Sequence, residues 1–169
     1  KEKADNIALK VREKTGVVSA VEKEEKKVLP TLLYDLTELQ RDCNKIFGFS
    51  AQKTLNTAQS LYEKHKMITY PRTDSRYLSD DMVGKIKAVL GKLSVLNRYA
   101  NSTKKIMALD KLPLNKRIID NSKVSDHHAI IPTDGRLNTE RLTEDEKKVF
   151  DLVALRFLSV FYPAYVYEN

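Results

Sequence analysis

The sequence predicts a mainly α fold with small β elements, an α+β chain, on three observations. Apolar side chains recur at helical spacing in several separate stretches. Ser or Thr capping signals stand in front of most of these stretches. The β-type runs are only three to five residues long, and the two longer ones stop at proline or at dense charge.

The elements follow in order. Residues 1–14 read as a polar, frayed helix; Thr15-Gly16 opens a β-like run from Val17 to Val21, a charge-dense turn covers Glu22 to Lys27, and Pro30 marks an edge. Thr37 with Gln40 three residues on reads as a capping box, and Leu39, Cys43, Ile46 and Phe47 line one helical face before Gly48. Ser50 caps a second helix with Ala51, Leu55, Ala58 and Tyr62 inward, and the glycine-containing turn between the two resembles a helix-turn-helix. Met67 to Tyr70 is a short β-type run that Pro71 terminates. Ser79 caps a third helix to about Leu90, with Asp80 and Asp81 at its positive end, and a fourth covers about Leu93 to Asn101. Residues 104–125 are a lysine-rich connection with room for a strand at Arg117 to Ile119. Thr143 and Glu146 form another capping box, opening a long helix striped by Val149, Val153, Phe157 and Val160 and ended by Pro163.

Composition narrows the class. A chain of 169 residues, 41% of them hydrophobic, can bury an ordinary core and is not a disordered tail. The apolar region from Phe150 to Tyr167 is broken by Asp151, Arg156 and Pro163, so no membrane span or membrane partner is expected, and no signal peptide is seen. An opening Lys1 and a polar first helix point to a piece of a longer polypeptide. Cys43, the single cysteine, excludes a disulfide framework and a thiolate metal cluster and fits a cytoplasmic setting. The net charge of +7 is concentrated centrally, where residues 28–133 carry 17 Lys/Arg against 10 Asp/Glu. A basic domain of this kind attracts polyanions, of which nucleic acid is the commonest; a merely lysine-rich soluble surface is the plain alternative.

The segment Ile68-Thr69-Tyr70-Pro71-Arg72-Thr73-Asp74-Ser75 carries the chemistry. Pro71 stiffens the backbone and favours an extended Tyr70, so Tyr70 and Arg72 should face one side. A guanidinium suits two phosphodiester oxygens, and positive charge near a phenol favours the nucleophilic phenolate. The plain alternative is a packed tyrosine beside a solvated arginine. A second cluster, Ser125-Asp126-His127-His128-Ala129-Ile130-Ile131-Pro132-Thr133, reads as a capped turn or helix start where His127 could meet a phosphate. Adjacent histidines with no third ligand do not make a metal site.

"GFSAQKTLNTAQSLYE", "ITYPRTDS" and "DHHAIIPT", in this order, resemble the bacterial topoisomerase III group of the type IA DNA topoisomerase family, and the likeness covers nearly the whole chain. The resemblance implies that Tyr70 is the nucleophile, joined transiently to a 5′-phosphate, and that Arg72 contacts DNA at the scissile phosphate. It implies a backbone contact for His127, with weaker claims for His128, Lys53 and Gln59 as DNA contacts. Single-stranded DNA is the implied partner, the bacterial cytoplasm and nucleoid the setting, and strand passage without ATP the activity. Mg²⁺ is the implied cofactor, held by a TOPRIM domain that this segment lacks, so the segment alone is expected to be inactive. The resemblance also implies a winged-helix-like tyrosine domain over residues 35–135. Residues 1–34 and the long helix within 136–169 would connect it to a β-rich arch among the remaining domains. The rival readings are a non-enzymatic helix-turn-helix-like module that reads duplex DNA, and a helical interaction domain with no nucleic-acid role.

Overall fold

A computed structural model describes residues 1–169, and the chain divides into two compact units. The first holds residues 1–28 and 166–169. In it α1 (Glu2–Val11) buries none of its residues. β1 (Glu25–Val28) pairs with β2 (Tyr165–Glu168), and the reciprocal bonds between Glu24 and Asn169 are the antiparallel pattern. The expected strand at Val17 to Val21 is not formed: these residues are irregular and Val17 is 87% exposed. An apolar run becomes a strand only where another edge completes its hydrogen bonds, and here that edge runs beside the charged stretch instead.

The second unit, residues 29–165, is helical, as the periodicities predict. α2 (Leu36–Phe47) and α3 (Ala51–Glu63) meet at the corner where Gly48 takes a left-handed φ of 68°. Asn44 Nδ2 donates to the Phe49 carbonyl across that corner (3.0 Å). Ser50 caps α3 by accepting from the Lys53 N–H, as expected. α2 is capped not by Thr37 but by Asp35, whose carboxylate accepts from the Glu38 N–H at 2.7 Å. The short acidic side chain two residues upstream meets the first free N–H groups before Thr37 can. Leu39 and Cys43 are buried as predicted, whereas Ile46 is 55% exposed; on α3, Thr54 and Leu61 join Leu55 and Ala58 inside while Ala51 stays out. Burial drives the Cys43 thiol up to about 11, in keeping with an inert core group.

The middle helices start later than their sequence signals. Ser79 precedes a single 3₁₀ turn (Asp80–Met82) and bonds to Asp81 rather than capping, so α4 spans Val83–Ser94. α5 follows at Asn97–Met107. Neither helix has a side-chain cap, so nothing local marks its first residue. The predicted strands at Met67 to Tyr70 and Arg117 to Ile119 reduce to single bridges, Ile68 with Pro132 and Ile119 with Leu78. α6 (Glu144–Ser159) has the predicted Thr143/Glu146 capping box, and Val149, Val153 and Phe157 are fully inside. Its core faces α2, α3 and α5. Arg156 on α6 bonds Asp42 of α2 and the Leu32 carbonyl and stacks over Tyr34 at 4.0 Å. Burial, reinforced by the bond to Asp42, pushes the Tyr34 phenol far above its usual range. No helix is long and apolar enough to cross a membrane.

Candidate active site

The site forms where the segment after α3 crosses residues 127–133. Thr69 pins one side: its N–H donates to the Ile131 carbonyl (2.9 Å), its hydroxyl donates to the Ala129 carbonyl (3.0 Å), and the Ile131 N–H donates back to that hydroxyl (3.0 Å). Thr73 pins the other, donating to the His127 carbonyl at 2.9 Å and accepting from the Ser75 N–H at 3.1 Å. Pro71 and Thr73 are buried. Tyr70 and Arg72 therefore stand on a short stretch of backbone anchored at both ends.

Tyr70 is half-buried between two rings. Tyr62 of α3 meets it edge-on at 5.4 Å between centroids, and His127 lies against it at 4.3 Å with the planes 46° apart. The Tyr70 hydroxyl and the His127 ring nitrogens make no hydrogen bond within the chain, so both are available to a ligand. Arg72 is exposed, and its Nε and Nη2 both donate to Gln59 Oε1, at 3.3 and 3.1 Å. The two side chains thus contact α3 at Tyr62 and Gln59, one turn apart, which agrees with the expectation that they face one side.

Beside Tyr70 opens a cleft of about 560 Å³, lined also by His127, His128, Ser125, Asp126, Asn121 and the Ser79–Asp81 turn. No helix begins at Ser125 or Asp126: the preceding 3₁₀ turn ends at Lys123, residues 125–127 are bends, and the Ser125 hydroxyl reaches Asp74 at 3.4 Å. The expected cradle of free helical N–H groups is therefore missing, and from Ala129 onward N–H groups of this segment serve the crossing, Ala129 donating to the Tyr77 carbonyl and Thr133 to the Met67 carbonyl. His128 Nδ1 lies 2.8 Å from the Ala129 carbonyl; a carbonyl only accepts, so Nδ1 carries the proton. Lys53 turns away to Asp145 at 2.8 Å and over the Phe49 ring at 4.0 Å, outside the residues that line the cleft. The roles of Tyr62, Asn121 and the Ser79–Asp81 turn were not legible in the sequence, since only the crossing of distant segments brings them to Tyr70.

No three His, Cys, Asp or Glu side chains converge to hold a metal ion. Asp80 accepts from Asn121 Nδ2 at 2.7 Å, and the Ser79 hydroxyl beside Asp81 holds that carboxyl below its usual range. The phenol of Tyr70 and the imidazole of His127 share the cleft, where they can meet a phosphodiester, while Arg72 lies outside the residues that line it and is held by Gln59.

The fold is a helical α+β unit with an accessible tyrosine beside a histidine, and the comparisons identify its family. The chain belongs to the DNA topoisomerase family, whose family model matches residues 1–169, and its relatives lie in the type IA branch that the motifs resemble. It is 49% identical over 169 residues to DNA topoisomerase 3 of Bacillus cereus (strain ATCC 14579), covering 100% of this chain and 23% of that protein. It is 48% identical over 156 residues to DNA topoisomerase 3 of Bacillus subtilis (strain 168), covering 92% of this chain and 21% of that one. Among solved structures, full-length topoisomerase I from Thermotoga maritima aligns with a TM-score of 0.62 at 27% identity, over 97% of this chain and 26% of that chain. The chain thus spans about a quarter of the length of the relatives it matches.

Proposed function

We propose that this segment supplies the strand-breaking tyrosine of a type IA DNA topoisomerase, with Tyr70 as nucleophile on single-stranded DNA. The observation that carries the reading is the placement of Tyr70 against His127, two residues before an arginine whose guanidinium is held in place. The Tyr70 hydroxyl gives up its proton as its oxygen bonds to phosphorus, the bond from phosphorus to the 3′-oxygen breaks, and that oxygen takes up a proton as it leaves. The phosphodiester bond energy is kept in the phosphotyrosine, so the reverse attack reseals the strand without ATP after another strand has passed. Arg72 and His127 donate to the phosphate oxygens as their charge rises.

Mg²⁺ does not fit the residues present, because of the three acidic side chains lining the cleft Asp80 is tied to Asn121 and Asp81 to Ser79, and no set of three ligands converges. A TOPRIM domain elsewhere in the longer polypeptide is the place we assign to it, and the bacterial cytoplasm, beside the nucleoid, is the setting. In the same proposal, residues 35–135 form the tyrosine-bearing domain, and residues 1–34 and 136–169 connect it to an arch.

The duplex-reading alternative would insert α3 into a groove. Its Thr54, Leu55, Ala58 and Leu61 are buried, Lys53 pairs with Asp145, and Gln59 and Tyr62 engage Arg72 and Tyr70, which leaves Gln52 and Asn56, bonded to each other, as the exposed uncharged polar side chains for reading bases. The test compares this 169-residue chain with the whole polypeptide on a labelled single strand in Mg²⁺. The whole polypeptide forms a detergent-stable adduct and the segment alone does not. Adduct formation by the segment alone overturns the external metal site, and none from either overturns the reading.

A further inference from the structure

We propose that Gln59 is a positioning residue for Arg72, with Glu63 fixing which way its carboxamide points. This rests on the reading of Tyr70 and Arg72 as strand-cutting groups. An exposed arginine free in solvent samples many rotamers and would have to be immobilised at each turnover. Here Gln59 Oε1 accepts from both Nε and Nη2, at 3.3 and 3.1 Å, and so occupies the lateral edge of the guanidinium. The terminal edge, Nη1 with the second Nη2 hydrogen, stays open for two non-bridging phosphate oxygens.

The orientation of the amide follows from chemistry. Gln59 Nε2 donates to Glu63 Oε1 at 2.8 Å, one helical turn on. A carboxylate accepts only and a guanidinium donates only, so the carboxamide nitrogen must face Glu63 and its oxygen Arg72. Glu63, Gln59 and Arg72 thus form a relay in which each group leaves the next a single favourable orientation. Tyr62, between the two relay residues on α3, bears on Tyr70 at 5.4 Å, so one helix sets the direction of both reactive side chains.

The experiment uses the whole polypeptide, a 3′-end-labelled single strand and Mg²⁺, and measures single-turnover adduct formation beside strand affinity. Gln59→Ala slows adduct formation about 10-fold or more while affinity changes by less than about 3-fold, because misalignment costs rate rather than attachment. The paired change Gln59→Glu with Glu63→Gln rebuilds the relay with donor and acceptor exchanged, and restores the rate to within about 3-fold of wild type. Tyr70→Phe is run alongside. If it abolishes the adduct while Gln59→Ala reacts at the wild-type rate, or loses affinity and rate in equal measure, the positioning role is overturned and the reading of Tyr70 stands. If the paired change is no faster than Gln59→Ala, the relay is overturned. If Tyr70→Phe still forms the adduct, the underlying reading fails.

Discussion

The His127 ring lies 4.3 Å from that of Tyr70, centroid to centroid, although 57 residues separate them in sequence, and its nitrogens are unengaged. In the proposed reading a ring so placed serves the phosphate that Tyr70 attacks and carries little of the fold. His127→Ala should slow adduct formation by about 100-fold, in line with the loss of one preorganised donor. Because His127 is exposed, its thermal midpoint should match wild type; a large drop in midpoint would mean that the ring is chiefly structural.

Thr73 is where site and fold meet. Its buried hydroxyl donates to the His127 carbonyl and accepts from the Ser75 N–H, so Thr73→Val removes both bonds at constant volume. A loss of about 1–3 kcal/mol in chemical denaturation is expected, together with slower adduct formation as residues 70–72 and 127 shift apart. Lowered stability with unchanged single-turnover kinetics would separate the two.

Glu146 should make the fold sensitive to acid. Burial alone would raise its carboxyl, but donation from the Ser60 hydroxyl, from the Thr143 N–H and hydroxyl, and the nearby His65 outweigh burial and bring it down to about 2. The folded value is depressed, so the stabilisation is present above the ordinary glutamate value of about 4.3 and disappears as pH falls toward the folded one. Glu146→Gln should lower the thermal midpoint at pH 7 by several degrees, for about 2 kcal/mol lost, and the gap from wild type should narrow between pH 4 and pH 2. A gap that stays constant over that range would show that the charge on Glu146 is irrelevant.

Gly48 joins α2 to α3 at a φ of 68°, and nothing lies within 4 Å of a Cβ built there. Gly48→Ala should therefore cost only the conformational penalty, about 1 kcal/mol, read as a small fall in thermal midpoint. A cost several times larger would show that the corner tolerates no side chain for packing reasons.

The helices were legible where a side chain announces them. Ser50 and the Thr143/Glu146 pair mark α3 and α6, whereas α4 and α5 lack side-chain caps and their first residues could not be read. Thr37 was outcompeted by Asp35 because both can cap and only the approach of the chain decides between them. The strand at 25–28 was hidden in a charged stretch, since its partner lies at the far end of the chain. At the site, the stiff Tyr70-Pro71-Arg72 stretch and the His127 cluster stood out by residue type and motif. The contact of Gln59 with Arg72, the edge of Tyr62 on Tyr70 and the diversion of Lys53 to Asp145 depend on how distant segments cross, and no local pattern encodes that.

The most direct measurement of the central claim is where a cleaved strand becomes attached. The whole polypeptide is mixed with a single-stranded oligonucleotide labelled at its 3′ end, in Mg²⁺, and stopped with detergent. The label should move to protein size with the wild type and stay at oligonucleotide size with Tyr70→Phe, while a 5′-end label never moves. A label that shifts equally in Tyr70→Phe, or that shifts only when placed at the 5′ end, would contradict Tyr70 as the nucleophile of a 5′-phosphotyrosine enzyme.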